Sequence, residues 1–450
     1  MKEHDLLKKE IIRLALPIAF QQFMLALVGA SDAVMLGRLE QNAMSAVSLA
    51  TQVTFVFSLF MTAFTIGENM FVAQYYGKKD YANISRIFSL VLYISCIVAA
   101  LFWIGAFAFS QSIMCFLTNE SELIALGSEY LKIVGISYFF SAIAQVYMTI
   151  MKNCNAVKMS TTISSITVIM NILLNAVFIF GLFGVPAMGI QGAAWATVIS
   201  TGVQMIWSII YTTTRIKRLK ICLPDRNHDL TKRFRSKTAP VLLNELIWGG
   251  GFTMYSVIMG HMGTDAVAAN GIANISKNLI VCLCLGLGSA GSIVVGNRLG
   301  ADLFEEAKRA GKTLTKVSVY SGVLSGILLL ALSPVIIRFA GLTPQAGEYL
   351  QGMLVICSYY LVGKSINSMT IGGIFPAGGD SRFGLLCDAV TLWGITIPIG
   401  CLCAFVLKFP VLTVYFVLNL DEIVKLPVVY RHYKKYKWLR NLTDGGTQNE

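Results

Sequence analysis

Residues 17–77, PIAFQQFMLALVGASDAVMLGRLEQNAMSAVSLATQVTFVFSLFMTAFTIGENMFVAQYYG, decide the architecture because they return later in the chain. Pro17 reappears as Pro240, Val34 as Val257, Gly37 as Gly260, Ala43 as Ala266, Ala46 as Ala269, Ala50 as Ala273, Val72 as Val295 and Gly77 as Gly300, all displaced by 223 positions. A register held without a gap over such a length is hard to obtain by chance, even in apolar sequence. Each copy is two long apolar segments that end at glycine and run into a charged turn, Gly77-Lys78-Lys79-Asp80 and Gly300-Ala301-Asp302. Self-similarity of this kind precedes any local reading and predicts a duplicated bundle of apolar helices.

Working outward, the 450 residues are 55% hydrophobic and only 13% charged, with mean hydropathy +0.67. A soluble chain carries about 25% charged residues. Apolar runs of about 20 residues recur from end to end, the length that a bilayer core demands, so the class is an all-α polytopic membrane protein. The alternating segments of a transmembrane β-barrel do not occur. The net charge of +12 does not point to nucleic acid, because about 30 of the 36 Lys and Arg fall in alternate loops and tails, as orientation by positive loops predicts. Most of the ten cysteines, such as Cys282, Cys284, Cys401 and Cys403, lie in apolar runs without metal or disulfide spacing, and His4, His228, His261 and His432 lie in loops or ends. No metal centre and no cofactor is expected beyond a coupling ion.

Twelve spans are predicted: six in an N-lobe, residues 1–214, and six in a C-lobe, residues 239–433. A basic cytoplasmic linker, 215–238, joins them, and a fraying cytoplasmic tail, 434–450, follows. The loop Thr118–Glu129 is acidic and read as external. An even number of spans puts both termini on one side, which the charge distribution assigns to the cytoplasm of a cell-membrane protein. Two copies of six run in the same direction and form parallel repeats.

Asp32 is a carboxylate inside the apolar first span, fifteen residues beyond Pro17 on the same helix. An acid within a membrane is costly and marks an ion pathway by default. An intrahelical proline frees a carbonyl and permits a bend. In span 5, Asn171 and Asn175 stand four apart and share one face, where their carbonyl oxygens suit a hard cation or a carboxyl proton. They serve equally well as interhelical packing groups. Thr197 of span 6 offers a hydroxyl. Glu68, near the end of span 2, is expected to reach the interface. The acid does not recur in the second copy, where position 255 is tyrosine. That half has Asn244, Glu245, Lys277, Lys364 and Asp388 in apolar surroundings. Lone charges there are expensive, so two pairings are available, Glu245 with Lys277 and Lys364 with Asp388, either as static ion pairs or as substrate sites. There is no phosphate loop and no catalytic set within the spans, which disfavours an enzyme.

Several stretches together resemble the multidrug and toxic compound extrusion (MATE) transporters: LALPIAFQQ and SDAVMLGRL in span 1, FVAQYYGKKD after span 2, NILLN and FIFGLFGVPAMGIQGAAWAT across spans 5 and 6, and HMGTDAVAA, VVGNRLGAD and PAGGDSRFG in the second half. The likeness covers nearly the whole chain and lies in the order of the motifs. It implies two six-helix lobes and monomeric export of organic cations or amphipathic drugs in exchange for H⁺ or Na⁺. By position it implies that Asp32 is the first-helix coupling acid, Pro17 the bending proline, and Asn171, Asn175 and Thr197 the N-lobe cation-site residues. Position 175 is Asn where some members have Asp, and Glu245 stands three residues nearer Pro240 than the span 7 acid of the sodium-coupled branch. The alternatives weighed are a lipid-linked oligosaccharide flippase, for which only Lys277 and Lys364 supply cavity cations, a channel, and a membrane enzyme.

Overall fold

The computed structural model describes residues 2–36, 41–216, 219–222 and 228–443. Gly37 of the repeat, part of the linker and residues 444–450 lie outside them. The described residues contain helices and turns and no strand. In lipid a helix is one of two ways for a backbone to satisfy its own hydrogen bonds. The helices are α1 Lys2–Leu36, α2 Gln41–Gly77, α3 Tyr81–Ala108, α4 Ser110–Leu117, α5 Ser121–Val134, α6 Ile136–Asn153, α7 Val157–Phe180, α8 Gly189–Arg215, α9 His228–Gly260, α10 Thr264–Gly300, α11 Phe304–Phe339 and α12 Pro344–Met369, followed by shorter segments to Lys434. Nine of the described helices are long and apolar enough to cross a bilayer, and α5 with α6 forms a tenth span bent by 43°. The remaining two expected spans are α12, which is too polar to qualify by composition, and the run from Val411 to Lys434, which is broken into three pieces.

Local chemistry sets several boundaries. Asp80 caps α3 by accepting from the Asn83 amide at 3.1 Å. Thr343 caps α12 in the same way through Ala346, with Pro344 in the first turn. Gly181 ends α7 in the left-handed region at φ 72°, which glycine enters without steric cost. The chain after α12 widens into π-helical turns at Thr370–Ile374, Ala389–Thr396 and Leu402–Val406, close to Pro376 and Pro398. Two expectations change. The loop at Thr118–Glu129 shrinks to 118–120, because its apolar residues at helical spacing start α5 at Ser121. The linker turns helical at His228, so that α9 begins well before Pro240.

By packing, the chain forms two compact units, residues 24–72 with 80–232, and residues 1–23, 73–79 and 233–450. The core of the first contains a ring cluster in which Phe57 lies 5.3 Å from Phe102 and 4.7 Å from Tyr138, centroid to centroid. The core of the second runs through Ile258, Ala269, Leu354 and Tyr415. Its end is anchored where a frayed tail was expected. Trp438 is fully buried and stacks on Tyr433, and Gln74 accepts from the Leu442 amide at 2.6 Å while donating to the carbonyls of Ala377 and Arg440. The buried indole supplies most of the apolar area that holds this largely polar segment in place.

Within this same unit the ends of α2 and α10 cross without side chains between them. A Cβ at Gly77 would run into the carbonyl oxygen of Asn297, and one at Gly300 into the carbonyl oxygen of Gln74. A Cβ at Gly296 would stand 2.7 Å from the Ala73 methyl. Residues 73, 74 and 77 are the 223-offset counterparts of 296, 297 and 300, so the contact maps onto itself when the copies are exchanged.

Candidate functional site

In the first unit, α1, α7 and α8 bring a short polar chain together in an apolar interior. The Asn175 amide nitrogen donates to Asp32 Oδ1 at 2.6 Å and lies 3.3 Å from Asn171 Oδ1. Asn171 in turn donates to Ser200 Oγ at 3.1 Å, and Ser200 donates to the Thr197 carbonyl at 3.1 Å. Asn175 is fully buried, Asn171 nearly so, and Asp32 is partly exposed. The spacing that puts both amides on one face of α7 therefore also points them at the acid of α1. A hydrogen bond to an ionised carboxylate is stronger than a neutral one.

The orientation leaves one atom over: Asn175 Oδ1 is buried without a hydrogen-bond partner. A buried acceptor without a donor is destabilising, and this one lies on the residue that touches Asp32. It can receive a proton-bearing carboxyl or contribute an oxygen to a monovalent cation. The sequence reading is refined at Thr197, whose hydroxyl donates to Ala193 on its own helix, and Ser200 one turn later supplies the link to Asn171. Ser200 was legible as a second hydroxyl on the same face of α8. Pro17 lies inside α1, which stays helical from Lys2 to Leu36. Glu68 does not reach an interface: it is fully buried, both carboxylate oxygens lack a hydrogen-bond partner, and the neighbouring opposite charge is Lys152.

In the second unit the charges pair differently from expectation. Lys364 contacts Glu422 at 3.2 Å, and Asp388 contacts Lys425 at 2.8 Å. Lys425 also lies 3.3 Å from Glu422 and 3.8 Å from Asp421, while Asn367 donates to Glu422 at 2.7 Å. Lys364 and Asp388 are thus members of one network and not each other's partners. The network's centre, Asp421, Glu422 and Lys425, went unread inside the last span, although Lys425 stands four and three residues from the two acids, the spacing at which helical neighbours meet. Among the described residues no ion pair joins Glu245 to Lys277. The Lys277 ammonium lies over the Tyr360 ring at 4.8 Å and lines a cavity of about 20 Å³ with Tyr255, Asn270, Asn274 and Asn419, room for one water. Asn244 and Glu245 are half-buried on α9. No group of three or more His, Cys, Asp or Glu suited to a metal ion occurs among the described residues.

Comparison with known proteins recovers the duplication and the fold. The MatE family model matches residues 17–177 and 240–402, so it finds the same two copies and starts at the same two prolines. A probable multidrug resistance protein NorM of Agrobacterium fabrum is 26% identical, over 89% of this chain and 87% of its own length. The multidrug resistance protein PmpM of Pseudomonas aeruginosa is 24% identical over 87% and 83%. Among solved structures, the MATE transporter VcmN of Vibrio cholerae in its bent form superposes with a TM-score of 0.85 at 18% identity, covering 98% of each chain. A superfamily transporter from Pyrococcus furiosus, described as having a binding pocket of reverse polarity, gives 0.85 at 18%, covering 95% of each.

Proposed function

Because this chain belongs to the MatE family, we propose that it is a secondary antiporter, which exports cationic or amphipathic organic compounds in exchange for H⁺ or Na⁺ across the cell membrane. The linker and both termini are then cytoplasmic, and each six-helix half forms one lobe. The relatives named for multidrug resistance support the substrate class. The observation that carries the coupling is the Asp32–Asn175 contact with its unused amide oxygen.

An amide is both donor and acceptor, so Asn175 can serve both charge states of Asp32. The ionised carboxylate takes the amide hydrogens, as at 2.6 Å here. A proton or Na⁺ arriving at Asp32 removes the acceptor and presents a positive partner, and rotation of the amide brings Oδ1 to it. Asn171 and Ser200 hold the backbone of this exchange in place through their own bond. A cationic substrate is attracted to the ionised carboxylate and loses that attraction when the coupling ion binds. The ion and the substrate therefore compete, and the ion shifts the access equilibrium only by its different affinity for the two states. The flippase reading loses one of its two cavity cations, since Lys364 is neutralised by Glu422.

The test is transport of a fluorescent organic cation in proteoliposomes, with pH and Na⁺ gradients imposed separately on wild type and Asp32→Asn. The variant keeps the shape of the carboxyl and is expected to insert and melt like wild type while losing gradient-driven transport. Wild-type rates from Asp32→Asn under both gradients would remove Asp32 from the mechanism.

A further inference from the structure

A groove of about 770 Å³ opens between the first turns of α1 and the start of α11, entirely within the second unit. Its walls carry five cations, Lys8, Arg298, Arg309, Lys312 and Lys316, and two acids, Glu10 and Glu306. Both acids are engaged at one side. Arg298 forms a two-pronged contact with Glu10 at 2.7 and 3.4 Å and lies 3.9 Å from Glu306. Among the described residues Lys312 and Lys316 make no ion pair, so the groove keeps an excess of positive charge on its α11 wall.

The same wall changes character along its length. Arg309, Lys312 and Lys316 share one face of α11 with Tyr320, Leu324 and Ile327, since three- and four-residue steps return to that face. Tyr320 is 75% exposed, Leu324 61% and Ile327 59%, on a helix apolar enough to lie in a bilayer. The stripe thus runs from cations, through an aromatic of the kind that seats at the membrane boundary, to bare aliphatic side chains. Leu6 and Leu7 of α1 form the opposite apolar edge.

We infer that this groove is a binding site for one anionic phospholipid, its phosphate and headgroup held by Lys312, Lys316 and Lys8 and its acyl chain laid along Tyr320, Leu324 and Ile327. Three observations converge on an amphiphile in place of a free ion. The volume is far larger than one phosphate needs. The charges of Lys312 and Lys316 are left over after the ion pairs among the described residues are formed. The apolar stripe continues the cationic one on the same helix face. Basic recesses beside membrane helices select anionic headgroups in this way. The Glu10–Arg298–Glu306 contact closes one side of the site, so an occupant also braces the start of α1 against α10 and α11. The inference does not depend on what the chain transports.

The experiment uses the purified full chain in mixed micelles containing phosphatidylglycerol or phosphatidylcholine of identical acyl chains, with bound lipid counted by native mass spectrometry and its stabilisation read as a melting shift. One phosphatidylglycerol retained in preference to phosphatidylcholine is expected. Each lysine removed, in Lys312→Gln and Lys316→Gln, should weaken retention about fivefold, and raised salt should do likewise. Lys8→Gln, on the opposite wall, provides a further variant if the Lys312 and Lys316 changes fold poorly, while Lys132→Gln in the other unit should change nothing. Equal retention of the two lipids, or retention unaffected by all three groove variants, would overturn the inference. Displacement of the lipid by millimolar inorganic phosphate would do so too, because the site would then recognise a free anion.

Discussion

Replacing Lys425 with methionine should be among the most damaging single changes available in the second unit. The ammonium is 2% exposed and lies 2.8 Å from Asp388, 3.3 Å from Glu422 and 3.8 Å from Asp421, all buried carboxylates. Methionine keeps most of the volume and removes the charge. Lys364 remains, but it contacts only Glu422 within this set. Asp388 and Asp421 are then left without a cation, and Asp421 Oδ1 already lacks a hydrogen-bond partner. Breaking a buried pair so that a charge is uncompensated costs about 3–5 kcal/mol. A cooperative unit of roughly this size loses about 2–4 °C of melting temperature per kcal/mol, so Lys425→Met should melt about 6–20 °C below wild type in the same detergent, read by tryptophan fluorescence or light scattering. Adding Asp388→Asn removes one stranded charge. The double variant should recover part of the loss, with a coupling of about 0.5–3 kcal/mol. A Lys425→Met protein that melts within about 2 °C of wild type, or a double variant whose losses simply add, would show that the five charged groups are solvated individually and that the network reasoning is wrong.

Other expectations follow from the same contacts. Asn175→Leu keeps the bulk but leaves Asp32 without its amide, so coupled transport should fall sharply in the proteoliposome assay while a loss in Asn171→Leu is smaller. Asn171 touches Asp32 only through Asn175, so equal losses would refute the chain order. Trp438→Ala removes the buried anchor of the C-terminal segment and should cost about 3–5 kcal/mol, with protease cleavage appearing near Arg440. An intact segment under limited trypsin digestion would contradict this. Glu245→Gln should leave the melting temperature unchanged, because among the described residues Glu245 makes no ion pair. If drug binding nevertheless weakens for cations and not for neutral compounds, Glu245 faces substrate, and a variant normal in both respects has no part in transport.

The class and the duplication were legible because both are properties of spacing along the chain. Hydropathy marks the spans, and an offset of 223 survives whatever the helices do in space. Asp32, Asn171 and Asn175 were legible for a related reason: an acid in an apolar run stands out, and two amides four apart must share a face. What escaped depends on which helices become neighbours. Lys364 and Glu422 are 58 residues apart, and Lys425 and Asp388 are 37 apart. No periodicity joins them, so the nearest available charges were paired wrongly. Glu68 escaped because an acid two turns from a helix end reads as interfacial until packing buries it. The terminal segment escaped because it is short and mostly polar, and burial of its one tryptophan is what seats it.

The crossing of α2 and α10 bears on how such a chain came to have its two halves. A contact that maps onto itself when the copies are exchanged has the form of an isologous interface, the kind that joins two identical subunits about a two-fold axis. Here it lies inside one polypeptide. In a symmetric pair of separate chains, one glycine would make both half-contacts, and any substitution would strike the junction twice. Fusion divides that responsibility between Gly77 and Gly300, each facing the backbone of the other copy's helix. The junction cannot admit a side chain in either copy, because both helices would be pushed apart from the same point. Away from the junction the copies differ, and one carries Asp32 where the other carries Tyr255. Joining the halves thus let the two copies diverge at position 32 and its counterpart while the seam kept the form of a homodimer's.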